Sequence, residues 1–157
     1  MSATHRITFV LTACLGLAAL TAQAKPNFKG DWKLNAAKSD FGQFPAPSSM
    51  TEKITHEDPD LKVAVKMSTD NGDMDFESSY KTDGTETSNQ FGPNEMKSKA
   101  AWEGDTLVIN TTGQFGDNAM TFKDKWELSA DGKTLTVKRH WSSNMGEMDQ
   151  TLVLDKQ

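Results

Sequence analysis

The segment EMKSKAAWEGDTLVINTTGQF (residues 95–115) decides the fold class. On each side of Gly104-Asp105, apolar and polar side chains alternate, as they do in strands that bury one face. The Gly-Asp pair is a tight-turn signal, because glycine takes the positive φ angles that short hairpin loops require. The segment therefore predicts two antiparallel strands joined by a short turn.

The same pattern repeats on both sides of this hairpin, and no segment has sustained helical periodicity. We predict ten strands, near residues 28–34, 50–57, 61–68, 74–80, 85–91, 95–103, 106–115, 120–128, 134–142 and 147–154. Consecutive hairpins without a helix-length insert form an up-and-down sheet, and closure of that sheet removes its unpaired edges. The predicted fold is all-β, a single up-and-down antiparallel β-barrel of eight to ten strands.

Residues 1–24 are predicted to be a signal peptide, and residues 25–157 the barrel domain. Arg6 gives a basic start, residues 7–20 an apolar stretch, and Ala22-Gln23-Ala24 a small-x-small cleavage pattern. The apolar stretch is too short for a transmembrane helix. A lipobox-like segment ends at Cys14, but it leaves too little apolar core before the cut to favour a lipoprotein anchor. The expected location is secreted or periplasmic.

The charge balance excludes one class of partner. The chain has 17 Lys and Arg against 22 Asp and Glu, for a net charge of −5. Such a surface repels phosphate backbones, and no basic run compensates for it, so no nucleic-acid partner is expected. The oligomeric state is left open by the sequence.

Centring each hairpin on its turn sorts the inward side chains into rows. One row is methionine and aromatic: Met50, Met67, Phe76, Phe91, Met96, Gly113, Phe122, Trp141 and Met148. The next is almost entirely polar: Glu52, Val65, Ser78, Asn89, Ser98, Thr111, Asp124, Arg139 and Gln150. An unpartnered buried polar group costs about 1–3 kcal/mol. The polar row therefore indicates either a wet or ligand-filled cavity, or a self-satisfied network such as Asp124 with Arg139.

The cavity interpretation predicts an entrance at the end that carries the methionine and aromatic row. Phe41 and Phe44, on the long connection 35–49, would then hang over the mouth, while tight turns close the other end. An apolar tail would lie against this row, and a carboxylate would reach Arg139 if Asp124 leaves it a free donor. The candidate ligand-binding residues are Met50, Glu52, Met67, Phe76, Ser78, Asn89, Phe122, Asp124, Arg139, Trp141 and Gln150.

Gly30-Asp31-Trp32 on the first strand resembles the Gly-x-Trp signature of the lipocalin and wider calycin group, barrels that bind small molecules in their lumen. The chain is also similar to small secreted lipocalin-like bacterial proteins, in Trp32–Asn35, Ser39–Gly42, Gly104–Ile109 and Leu128–Leu135. The resemblance implies structural roles for Gly30 and Trp32, and an Arg139 that packs over Trp32 instead of anchoring a ligand. Ten strands without disulfides also resemble intracellular fatty-acid-binding proteins, whose interior arginines hold a carboxylate, although their helix-turn-helix lid is missing here.

The residues favour binding over catalysis, because no nucleophile motif occurs. The alternative hypothesis is a barrel enzyme with Glu52 and Asp124 as acid and base. A third hypothesis is a structural envelope protein with a filled core. His56 is expected to pack inside and His140 to pair with Asp149 at the surface. The inward methionines belong to different strands, so they indicate an apolar lining and no copper site. We expect no metal or cofactor, and a small apolar molecule as partner.

Overall fold

The computed structural model describes residues 24–157, which form ten strands and a 3₁₀ turn at Ala36–Lys38. The strands are β1 (Gly30–Leu34), β2 (Ser49–Glu57), β3 (Asp60–Thr69), β4 (Gly72–Lys81), β5 (Asp83–Phe91), β6 (Asn94–Glu103), β7 (Thr106–Phe115), β8 (Asn118–Leu128), β9 (Thr134–Ser143) and β10 (Gly146–Lys156). The predicted all-β, up-and-down fold is confirmed. All of the predicted signal peptide except Ala24 lies outside the described residues. Within residues 24–157, no helix has the length and apolar character needed to span a membrane.

The strands form one antiparallel sheet in the order β4-β3-β2-β1-β10-β9-β8-β7-β6-β5. Its two edges, β4 and β5, lie side by side without a backbone ladder, so the barrel is nearly closed where complete closure was expected. The Asn89 side chain spans this seam, since its Oδ1 accepts the Ser79 N–H at 2.6 Å and its Nδ2 donates to the Ser79 carbonyl at 3.0 Å. A register irregularity between Asp83 and Glu86 turns the start of β5 away from a regular ladder.

The predicted register is confirmed for β2–β3, β6–β7, β8–β9 and β9–β10. It is wrong by two residues for β3–β4, β5–β6 and β7–β8, because each of these loops is centred one residue earlier than the hairpin centre inferred from the turn residues. Phe76 therefore faces Val65, and Phe122 faces Thr111. A slip of two residues keeps every side chain on its predicted face, but it changes the neighbours.

One end of the barrel, which we call the closed end, carries the turns at 58–59 and 104–105 and is filled with side chains. Phe28, fully buried, stacks on His56 at 5.6 Å and on Trp102 at 5.8 Å, and it meets Trp126 edge-on at 5.5 Å. The segment before β1 thus crosses this end as a plug. The leucines of β3, β7, β9 and β10 seal it further: Leu61, Leu107, Leu135 and Leu154, each with no exposed surface.

The connection between β1 and β2 lies along β10, and it contacts the predicted methionine and aromatic row, since the Gln43 N–H donates to Met148 Sδ at 3.4 Å. Asp40 and Thr151 exchange two backbone hydrogen bonds, and Gln150 Nε2 donates to the Phe41 carbonyl at 3.0 Å. The exposed Phe44 ring meets Trp141 edge-on at 6.4 Å. Because free backbone groups of β10 were available as partners, the loop is fastened to the wall of the barrel.

Candidate functional site

The barrel contains a cavity of about 280 Å³ towards the end opposite the plug, which we call the open end. Its volume lies near the lower limit for small-molecule sites. The cavity faces strands β3 to β9, and no residue of the 35–48 connection lines it. The lining residues are Met67, Phe76, Ser78, Tyr80, Asn89, Gln90, Phe91, Met96, Ser98, Thr111, Phe115, Phe122, Asp124 and Arg139.

An aromatic rim borders the cavity at the open end. The rings of Phe76 on β4 and Phe91 on β5 meet edge-on at 5.0 Å, and those of Phe91 and Phe115 on β7 at 5.9 Å. The thioethers of Met67 and Met96 complete the apolar part of the lining. Edge-on aromatic contacts hold the rim together, while flexible thioethers adapt to apolar groups of varied shape.

An ion pair between Asp124 and Arg139 forms the charged part of the lining. The two residues are direct partners in the β8–β9 register, as predicted. Arg139 Nε donates to Asp124 Oδ1 at 2.8 Å, and Nη2 donates to Oδ2 at 2.7 Å. The guanidinium lies 5.5 Å from the centre of the Phe122 ring. Burial lowers the pKa of Arg139, but Asp124, Tyr80 and Glu52 together raise it by more, so the net shift is upward and the guanidinium stays charged.

The other polar lining groups are uncharged. Ser98 and Thr111 share a hydrogen bond of 2.8 Å between their hydroxyl oxygens. Burial raises the pKa of Tyr80 above its ordinary value, which keeps the phenol neutral, and Ser78 opposes this shift through a hydrogen bond. Hydroxyl groups both donate and accept, so this part of the wall can meet either kind of polar group.

Glu52 lies inside the barrel, but it is not among the cavity-lining residues. Its side chain is buried, with 8% of the residue exposed, and Oε2 has no hydrogen-bond partner. Burial raises the pKa of Glu52 to about 7; Arg139 opposes the shift and Asp124 adds to it. The carboxyl therefore changes charge near neutral pH within the field of the ion pair.

Seven of the predicted ligand-binding residues line the cavity: Met67, Phe76, Ser78, Asn89, Phe122, Asp124 and Arg139. Four do not: Met50, Glu52, Trp141 and Gln150. Met50 packs in the apolar core, Trp141 meets Phe44, and Gln150 holds the 35–48 connection. As ligand contacts, all eleven stay predictions.

Sequence reasoning left several lining residues out of the predicted site. Phe91, Met96, Ser98 and Thr111 belong to the predicted inward rows but were not selected, and Tyr80 continues the inward alternation of Phe76 and Ser78. Phe115 continues that alternation towards the open end, so the same pattern could have found it. No sequence signal indicates Gln90.

The Gly-x-Trp segment has a structural role at the other side of the barrel. Trp32 is fully buried, its Nε1 donates to the Phe28 carbonyl at 2.8 Å, and Lys156 Nζ lies 5.2 Å from its ring centre. A Cβ atom at Gly30 would come within 2.7 Å of Lys156 Cε, so glycine makes room for that side chain. The place over Trp32 that the resemblance implied for Arg139 is taken by Lys156, because Arg139 pairs with Asp124.

His140 Nδ1 lies 2.8 Å from Asp149 Oδ1 at the surface, in the predicted pairing. Among residues 24–157, no group of three or more His, Cys, Asp or Glu side chains is arranged to hold a metal ion. The chemistry of the described interior thus rests on one ion pair, one unpartnered carboxyl and several neutral polar groups.

No protein-family model matches the chain, and no curated protein matches its sequence. Solved structures do share its fold. Zebrafish ileal bile acid-binding protein complexed with cholic acid matches with a TM-score of 0.57 and 16% identity over 83% of this chain and 98% of that one. A secretory abundant heat soluble protein of Ramazzottius varieornatus matches with a TM-score of 0.56 and 13% identity, over 85% of this chain and 97% of that one. Schistosoma mansoni fatty acid binding protein in complex with arachidonic acid matches with a TM-score of 0.53 and 14% identity, over 83% of this chain and 96% of that one. This chain therefore has a ten-stranded antiparallel β-barrel fold, similar to that of these fatty-acid- and bile-acid-binding proteins.

Proposed function

We propose that this protein binds a small, mostly apolar molecule in the lumen of its barrel. The observation that carries the proposal is the cavity of about 280 Å³, which has an aromatic rim and polar groups on the same wall. Pockets of this composition bind small molecules through apolar burial, while a few polar groups fix the orientation. Barrels of similar fold that hold cholic acid and arachidonic acid support the proposal.

The distribution of packing favours a ligand site over a filled structural core. Phe28, His56 and Trp102 fill the closed end, whereas the open end keeps a cavity beside Phe91 and Phe122. A purely structural barrel gains stability from every methylene that fills such a space. The open half of this barrel instead combines an unfilled cavity with polar side chains in its lining.

The same geometry favours binding over acid-base catalysis. Asp124 accepts one hydrogen bond on each carboxylate oxygen from Arg139, so both oxygens are already engaged within the protein. Glu52 does not line the cavity, so it has no direct reach to a molecule there. The proposed acid and base therefore do not meet at one substrate position.

We also propose that the protein acts outside the cytoplasm, either secreted or in a periplasm. This proposal is supported by the sequence of residues 1–24, with cleavage after Ala24. It is also supported by the resemblance to secreted lipocalin-like bacterial proteins. Mass spectrometry of the exported protein should find Lys25 at the N-terminus. A full-length chain that stays in the cytoplasm would contradict the proposed export.

A pair of matched variants tests the binding proposal. Thr111 lines the cavity, while the adjacent Thr112 faces outward and is exposed. Octanol should bind to the wild-type mature chain, bind Thr112→Phe equally well, and bind Thr111→Phe weakly because the ring fills the cavity. Calorimetric titration measures binding, and circular dichroism confirms that each variant is folded. Absence of octanol binding to the wild type, or equal binding to both variants, would refute the proposed site.

A further inference from the structure

We infer that the lumen selects a ligand whose polar group is uncharged and discriminates against a carboxylate. This inference rests on the proposed binding function and names the class of ligand. It follows from the charges around the cavity. The Arg139 guanidinium is paired with the Asp124 carboxylate, and the Glu52 carboxyl lies within the field of this pair. Three observations support it.

First, the cation that a ligand carboxylate would need is already paired. Arg139 is the one cation among the cavity-lining residues of the described chain, and Asp124 occupies its Nε and Nη2 edge at 2.8 and 2.7 Å. That edge is one of the two through which a guanidinium binds a carboxylate by two parallel hydrogen bonds. The pair has a net charge of zero, so a ligand anion at the remaining Nη1 edge would be attracted by Arg139 and repelled by Asp124.

Second, an additional carboxyl lies within the field of the same pair. Glu52 on β2 is buried with Oε2 unpartnered, and its electrostatic neighbours are Arg139 on β9 and Asp124 on β8. Its nearest residues in the strand register, Trp32 on β1 and Val65 on β3, carry no charge. Burial and Asp124 already make ionisation of this carboxyl unfavourable. A ligand carboxylate would meet the same opposition, and ionised Glu52 would increase it.

Third, the rest of the polar lining suits a neutral group. The hydroxyls of Ser98 and Thr111 lie 2.8 Å apart, and the Tyr80 phenol faces the same cavity. Such groups donate to and accept from an alcohol or amide without an uncompensated charge. Transfer of an ionised carboxylate from water to an apolar site costs far more than transfer of a hydroxyl group that keeps its hydrogen bonds.

The experiment compares three probes that share one tail: octanol, octanoate and octylamine, titrated into the wild-type mature chain at pH 8. Octanol should bind about tenfold more tightly than octanoate, as expected for the loss of one charge-assisted hydrogen bond. Octanoate that binds as tightly as octanol would overturn the inference. Octylamine that binds most tightly would also overturn it, because Glu52 would then act as a counter-ion. Failure of all three to bind would refute the proposed binding function itself.

Two isosteric variants identify the groups that exclude the anion. Asp124→Asn frees the Arg139 edge and should raise the octanoate affinity about tenfold relative to the octanol affinity of the same variant. Glu52→Gln removes the second acid and should raise octanoate affinity in the same direction, which keeps the inference testable if the first variant does not fold. Asp75→Asn, on the exposed face of β4, is the matched control and should change neither affinity. If folded Asp124→Asn or Glu52→Gln binds octanoate no more tightly than the wild type does, the replaced carboxyl does not exclude the anion. That result would contradict the inference.

Discussion

Replacing Glu52 by glutamine should remove a loss of stability that the wild-type protein undergoes as the pH rises. Only 8% of this residue is exposed, and burial raises its pKa from 4.5 to about 7 in the folded state. The folded protein therefore holds this proton more tightly than the unfolded chain does. The carboxyl has little effect on stability below pH 4.5, and it lowers the free energy of unfolding as the pH rises to 7 and above.

The size of the effect follows from the two pKa values. At about 1.36 kcal/mol per pKa unit, the difference between 4.5 and about 7 corresponds to about 3 kcal/mol. Glutamine has the shape of the protonated side chain and no charge, so Glu52→Gln should gain about this much relative to the wild type between pH 4.5 and pH 8. The lowered pKa of Asp58 makes both proteins less stable at low pH, and it cancels in the comparison.

The assay is urea unfolding of the wild type and Glu52→Gln at several pH values, with the free energies of unfolding extrapolated to water. Glu57→Gln, an exposed position on the same strand, serves as the control and should follow the wild-type profile. Parallel profiles for the wild type and Glu52→Gln would refute the reasoning. Such a result would mean that water reaches this carboxyl, or that an unseen partner compensates it.

Two further changes probe the ion pair and the seam. Arg139→Ala should lower the free energy of unfolding by about 3 kcal/mol, because it leaves Asp124 without its partner, while Asp124→Leu combined with Arg139→Met should cost less. Near-wild-type urea stability of the single variant would contradict this. Asn89→Ala should cost about 1 kcal/mol and speed amide exchange at Ser79, whereas Ser88→Ala should not. Equal protection of the Ser79 amide in both variants would exclude the role assigned to Asn89.

Strand number, strand bounds and the inward face could be read from the sequence because both the turns and the alternation are local signals. The pairing register could not always be read. In the β3–β4 hairpin, Asn71-Gly72 is the strongest turn signal, but Thr69 pairs with Gly72 and the loop is Asp70-Asn71. A two-residue slip buries the same side chains, so the alternation contains no information that could detect it.

The candidate site was predicted in part because position across the lumen is not a local property. Register and alternation placed Asp124 opposite Arg139, and the structure confirms that contact. Nothing in the local pattern says that the 35–48 connection would bind β10 and engage Gln150, or that Glu52 would be buried without a partner. Those outcomes depend on contacts between residues about 100 positions apart, which a single sequence does not reveal.

The cavity borders the part of the barrel wall where β4 and β5 lack a backbone ladder. The other neighbouring strands of the described chain are joined by backbone hydrogen bonds. At the seam, β4 and β5 are joined by the two hydrogen bonds of Asn89 and the edge-on contact of Phe76 with Phe91. A ladder of about ten residues separates only if many hydrogen bonds break together. Separation of β4 from β5 at the seam would break the two Asn89 hydrogen bonds and the contact between Phe76 and Phe91. Phe76, Asn89 and Phe91 all line the cavity. The part of the wall that is least costly to open is therefore the part that borders the proposed ligand.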